Sequence, residues 1–187
     1  MIDMEVGSMD FTHLHVHTEY SLLDGTARIN DIIERAKQMG MHSIALTDHG
    51  VMYGVVEFYK KAAQEGLKPI IGCEVYVAPG SMDDKIKAMK EYSHLILLAK
   101  DNTGYRNLMR LSSSAFTRGF YHKPRIDYDI LETHKEGIIC LSACLSGDIP
   151  RLILSGDIQG ADKLAVSLKG IFGEDFYLEL QEHFLPE

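Results

Sequence analysis

Ser43-Ile44-Ala45-Leu46-Thr47-Asp48-His49-Gly50 is a short apolar run that stops at an acid, an imidazole and a glycine. Apolar and β-branched residues of this kind make a buried strand, and the ends of such strands are where βα architectures place their chemistry. Segments of helical spacing flank it at Arg28–Gln38 and Tyr53–Glu65, followed by Gly40 and Gly66, glycines suited to a helix C-terminus that needs positive φ. The same alternation continues outward. Strands are predicted at Phe11–His15, Ser43–Thr47, Pro69–Val77, His94–Ala99, Gly137–Ser142 and Phe176–Leu180, and further helices at Gly104–Ala115, Gly147–Leu154 and Asp157–Phe172. Strand and helix in turn predict an α/β fold with parallel β built from βα units. Gly80–Glu91 and Thr117–Asp129 break the rhythm and read as loops or lids. Residues 1–10 show no periodicity and read as a flexible start, which leaves 11–187 as one domain.

Composition narrows the class. With 187 residues, 45% hydrophobic and 25% charged, the chain can bury a sizeable core and is not disordered. Its longest apolar run, Leu95–Ala99, is far short of the roughly 18 to 20 residues of a membrane span. The first ten residues carry three acids and no base, unlike a secretion signal, so a cytoplasmic protein is expected. Three cysteines are too few and too odd for a disulfide framework and leave room for a metal ligand. The net charge of −8 opposes a general nucleic-acid coat, because such binding comes from Lys and Arg replacing counterions. Any contact with nucleic acid must be local or carried by a bound cation.

Nine histidines is a high count, and most fall at strand ends. His13, His15 and His17 alternate at period two, so on a strand all three project to one face, where imidazoles converge on a divalent ion or simply meet solvent. Asp48-His49 is either a ligand with its supporting acid or a helix N-cap beside a surface histidine. Glu74 lies inside the apolar run Pro69–Val77, where an ionised acid costs several kcal/mol unless it is paired or metal-bound. His94 and Cys144, at the ends of apolar runs, are ligands or core residues, and Asp24 before Gly25 is a ligand or a turn acid. Five βα units each deliver a ligand-type side chain at or near a strand end, and that convergence favours a metal site. Imidazoles, carboxylates and a thiolate suit Zn²⁺, with Mn²⁺ or Fe²⁺ as alternatives at the nitrogen and oxygen positions. Seven candidates exceed the four ligands of one tetrahedral zinc, so two or three ions sharing a bridging carboxylate are expected, an arrangement that clamps a phosphoryl group.

These segments resemble the polymerase and histidinol phosphatase (PHP) domain. The likeness is carried by Phe11–Gly25, Ala45–Gly50, Pro69–Glu74, His94–Leu108, Gly119–Asp127 and Leu141–Gly147. Ala99-Lys100-Asp101-Asn102-Thr103-Gly104-Tyr105 and Lys123-Pro124-Arg125-Ile126-Asp127 point to its branch in the alpha subunits of bacterial replicative DNA polymerase III, rather than to histidinol phosphatase. The resemblance implies a distorted (β/α)7 barrel. It implies that His15 and His17 share one ion, that Asp24 and His49 help hold another, that Glu74 bridges, and that His94 and Cys144 complete a site. Through the bound metal, His15, His17 and Glu74 would be catalytic; Asp48 would support, and His13 would pack.

The resemblance further implies a 3′–5′ exonuclease that proofreads DNA 3′ ends within an intact polymerase, with the remaining polymerase domains and a separate exonuclease subunit as partners. Rival readings are a scaffold stapled by metal and a stand-alone phosphatase. The family's late strand carries an Asp-x-His pair that nothing up to Glu187 supplies, His183 not being in one. The barrel is therefore expected to be incomplete at its C-terminal end, and the chain alone to be a weak or inactive, metal-poor, self-associating fragment without a polymerase site.

Overall fold

The computed structural model describes residues 11–85 and 91–181, so the expectations for residues 1–10, for 86–90 of the first loop and for His183 lie outside the described residues. The elements follow in the order α1 (Ile29–Gln38), β1 (Ser43–Leu46), α2 (Val55–Gln64), β2 (Lys68–Val77), β3 (Ser93–Ala99), α3 (Asn102–Thr117), β4 (Phe120–Tyr121) and β5 (Lys123–Ile126). After them come α4 (Tyr128–Thr133), β6 (Ile138–Leu141), α5 (Asp148–Leu154), α6 (Ile158–Phe172) and β7 (Phe176–Tyr177). Asp101, Asp127 and Asp157 cap α3, α4 and α6 by accepting a hydrogen bond from the backbone N–H three residues on.

The longest strand, β2, organises the sheet, whose order is β4-β5-β2-β3-β6-β7 with β1 also beside β2. One edge of β2 changes partner along its length. β1 pairs in parallel with Lys68–Ile71, an isolated bridge joins His49 to Glu74 in the same register, and β5 pairs in parallel with Tyr76 and Val77. The other edge is covered by β3 from Gly72 to Val77.

The fold is mixed α/β, and the expected parallel sheet needs correction. β3 runs antiparallel to both β2 and β6, and β4 runs antiparallel to β5. The described residues between β2 and β3 form no helix that could serve as the crossover a parallel pair requires. The pairing path ends at β4 and β7, and no closed ring of strands forms among the described residues. Phe11–His15 is not a strand, although it runs beside β1: Ala45 N donates to His13 O and Thr47 N to Val16 O. The side chain of Thr47 takes the place of a ladder there, its Oγ1 accepting from Val16 N at 2.8 Å and donating to Val16 O at 3.0 Å. Thr117–Asp129, expected as a loop, holds β4 and β5, and only Phe176–Tyr177 of the last predicted strand is paired.

Alternation along the strands separates two faces. Cys73, Val75 and Val77 of β2 and Leu95 and Leu97 of β3 join Leu108, Leu111, Leu131, Leu168 and Phe172 in the main core under the helices. A second core packs α1 and α2 on β1 through Ile29, Ile33, Leu46 and Phe58. The opposite face of β2 and β3 carries Gly72, Glu74, Tyr76, His94, Ile96 and Leu98, and only a small apolar cluster of Ala45, Ile96, Leu98, Leu141 and Ala143 lies there. On this face the polar residues gather.

Candidate metal centre

Glu74 is fully buried, and the register of β2 explains why an acid stands there. Its N–H donates to Asp48 O at 3.1 Å and its C=O accepts from Gly50 N at 2.7 Å, so His49 lies directly opposite it. Gly50 has φ +65°, and a Cβ there would come within 2.8 Å of Tyr76 Cε2, so glycine is what lets the chain turn after His49. From β3, His94 pairs with Tyr76 and reaches diagonally across to Glu74 Oε1, 2.9 Å from its Nδ1.

Four imidazoles surround this one carboxylate. His15 Nε2 is 3.3 Å from Oε1, His17 Nε2 is 3.5 Å from Oε2, and His49 Nδ1 touches Oε2. His15 Nε2 and His17 Nε2 stand 3.0 Å apart. Asp24, at the exposed rim, lies 2.7 Å from His49 Nε2. The His94 imidazole beside Cys144 holds its thiol below the usual range. All seven expected ligands, His15, His17, Asp24, His49, Glu74, His94 and Cys144, line one cavity of about 370 Å³ together with Ser146 and Gln181. His13 is exposed and meets the edge of Phe11 instead. Cys73 and Cys140 are buried in the main core, where burial pushes both thiols up.

Asp48 is neither ligand nor helix cap. It is completely buried; its Oδ1 accepts from Thr18 N at 2.6 Å and Ser21 Oγ at 2.7 Å, and its Oδ2 from Thr18 Oγ1 at 2.7 Å. Three donors occupy the carboxylate and pin the turn that carries His17 and Asp24. Gly25 closes that turn, since a Cβ there would overlap Thr18 O at 1.9 Å. Sequence reasoning missed Glu179, whose Oε1 lies 2.7 Å from His15 Nδ1 across 164 residues. The only local signal is an acid between Leu178 and Leu180 at the end of a predicted strand.

The charges are tightly linked. Burial pushes the Glu74 carboxyl up, but contacts with His15, His49 and His94 outweigh it and hold the group well below the carboxylate range. Burial opposes the charged form of His15 too, yet Glu179 and Glu74 raise it to about 10. His94, buried but set beside the Cys144 thiol and the Glu74 carboxylate, rises to about 9. His17 falls to about 4, because burial and then the positive field of His49 both disfavour its charge.

The donor set fits divalent ions. His15, His17 and Glu74 form one group and His49, Glu74 and His94 another, each with its ligand atoms within 4.8 Å of one another, and Glu74 belongs to both. A tetrahedral ion with bonds of about 2.05 Å needs donors roughly 3.3 Å apart; in the first group the two imidazole nitrogens stand 3.0 Å apart, with Glu74 Oε1 3.3 Å from His15 Nε2 and Oε2 3.5 Å from His17 Nε2. Glu74 Oε2 and His49 Nδ1 are buried against each other with no hydrogen bond of ordinary geometry, so a cation there would take the place of the proton between them.

The chain belongs to the PHP domain family, whose model matches residues 13–183. Among its relatives are DNA polymerase III alpha subunits: that of Borreliella burgdorferi is 53% identical over 179 residues, or 95% of this chain and 16% of that protein. The subunit of Treponema pallidum is 49% identical over 96% of this chain and 16% of that protein, and that of Thermus aquaticus 48% over 96% and 15%. The chain thus spans about a sixth of the length of these relatives. Among solved structures, a protein described as a metal-dependent phosphoesterase from Bifidobacterium adolescentis aligns over 89% of this chain and 58% of its own, with 17% identity and a TM-score of 0.38. An amidohydrolase from Chromobacterium violaceum aligns over 55% of this chain and 33% of its own, at 25% identity and a TM-score of 0.38. No helix among the described residues is long and apolar enough to cross a membrane.

Proposed function

We propose that this chain is the metal-dependent phosphoesterase module of a bacterial replicative DNA polymerase alpha subunit, acting as a 3′–5′ exonuclease on DNA 3′ ends in the cytoplasm. Its strands belong, in this reading, to a distorted (β/α)7 barrel, and its partners are the remaining polymerase domains and a separate exonuclease subunit. The observation that carries the reading is the position of Glu74, a buried carboxylate common to two groups of potential ligands.

His15, His17 and Glu74 would hold one ion and His49, Asp24 and Glu74 a second, with His94 and Cys144 completing the set; zinc suits these donors, with manganese or iron as alternatives. When bound, such ions supply positive charge for a phosphodiester and lower the pKa of water toward about 7. The residues of the chain do the rest. Glu74 stays ionised and buried, which fixes the spacing of the two groups. Asp48 braces the turn that delivers His17 and Asp24. Asp24, with a side chain 71% exposed, marks the side from which a nucleic-acid end can approach. The net charge of −8 is then no obstacle, because cations meet the phosphate.

The test is Glu74→Ala in the intact polymerase subunit. Loss of 3′-end digestion with nucleotide addition retained is expected. Equal loss of both activities would favour a metal-stapled scaffold, and retention of both would deny the site any role.

A further inference from the structure

Resting on the metal-centre reading, we propose that Glu179 is a positioning residue of that centre, accepting the Nδ1–H of His15 so that the ring presents its Nε2 lone pair toward Glu74 and His17. Nothing in the ligand pattern of the sequence requires this acid. Its carboxylate is nevertheless as protected as the histidine it meets, both side chains being 11% exposed.

The main chain holds Glu179 in place. Its N–H donates to Ser142 Oγ at 2.9 Å, and Ser142 N donates to Tyr177 O at 3.1 Å, so the end of β6 fastens the segment on both sides of Leu178. Gln181 Nε2 donates to the same Oε1 at 2.5 Å, and also lies 3.2 Å from His15 Nδ1. With the carboxylate and Nδ1 only 2.7 Å apart, a lone pair on Nδ1 would set two acceptors against each other. Nδ1 must therefore carry a proton in either charge state of the ring, and Nε2, 3.0 Å from His17 Nε2 and 3.3 Å from Glu74 Oε1, is the nitrogen that gives up its proton to an ion. A carboxylate behind an imidazole fixes the ring's orientation and raises its basicity as a ligand, and removing such a partner typically costs about 10- to 100-fold in metal affinity.

The experiment titrates this chain with zinc alone, after chelation, and follows the His15 ring nitrogens by long-range ¹H–¹⁵N NMR. In the zinc-bound unsubstituted chain, Nδ1 is expected to be protonated and Nε2 metal-shifted. Glu179→Leu should weaken zinc about 10- to 100-fold and disturb both His15 signals, and Glu179→Gln, which keeps an acceptor of the same size, should restore part of each. In a His15→Ala background, Glu179→Leu should change affinity by no more than about twofold, because residues acting through one another are not additive. Circular dichroism checks that each variant folds, and Glu179→Gln serves alone if Glu179→Leu does not. Unchanged affinity and unchanged His15 signals in the variants would overturn the role of Glu179 while leaving the metal centre standing. A full further loss in the His15→Ala background would make Glu179 a direct ligand and overturn it likewise. No zinc uptake by the unsubstituted chain or by the intact polymerase subunit would remove the metal-centre reading itself, and this inference with it; uptake by the intact subunit alone moves the same variants and affinity titration there.

Discussion

Asp48 accepts hydrogen bonds from both the backbone N–H and the hydroxyl of Thr18, at 2.6 and 2.7 Å, and is sealed from solvent. One side chain thereby ties the end of β1 to the turn that precedes α1. Asp48→Ala would leave the Thr18 N–H and the Thr18 and Ser21 hydroxyls without their acceptor, at a cost of roughly 3 kcal/mol. Chemical denaturation of the chelated chain measures it. Because the loss falls on the turn and not on a ligand, zinc binding should weaken without either ligand group disappearing.

Glu74 and Cys144 should separate in elemental analysis. Glu74 belongs to both ligand groups, so Glu74→Ala is expected to lower zinc content at both. His94 is the imidazole that most holds down the Cys144 thiol, so Cys144→Ser should reduce zinc chiefly at the group that contains His94. Equal stoichiometry in the two variants would refute the shared carboxylate.

The metal-free chain should be most stable near pH 6.5. His15, at about 10 when folded against 6.5 for a free imidazole, contributes stability that is complete below pH 6.5 and is lost as pH rises through 10. His94, at about 9, adds to the same alkaline loss. His17 has the opposite sign: lowered to about 4, it contributes above pH 6.5 and loses that contribution as pH falls through 4. Melting temperature against pH in chelator should give this dome. Zinc should flatten the alkaline limb, since ions displace the protons that the histidines hold there.

How much of this was legible depends on whether the deciding contacts are local. β2, β3 and β6 are apolar runs buried by helices, and their periodicity is in the sequence. β5 is not, because Pro124 and the charged residues beside it read as a turn. Arg125 is nonetheless fully buried, its guanidinium donating to the carbonyls of Gly119, Met82 and Asp84, and only the folded loop supplies those acceptors. The alternating histidines predict a strand, but Thr47 satisfies Val16 by its side chain and no ladder forms. At the site, residue types at strand ends disclosed seven side chains of one cavity, whereas Glu179 depends on a partner at the far end of the chain.

The edge of β2 where β1 ends and β5 begins has a consequence for how the protein breathes. Between Leu46↔Ile71 and Tyr76↔Arg125, the backbone pairing of that edge among the described residues is the His49–Glu74 bridge with its two hydrogen bonds, Glu74 N to Asp48 O and Gly50 N to Glu74 O, beside which the Cys73 thiol reaches Asp48 O and Val51 O. Parting the strands there would carry His49 away from Glu74 in the same movement. Solvent exchange of the Glu74 and Gly50 amides therefore keeps time with the assembly and disassembly of the ligand cluster, and any cation bridging the two side chains must slow both clocks together.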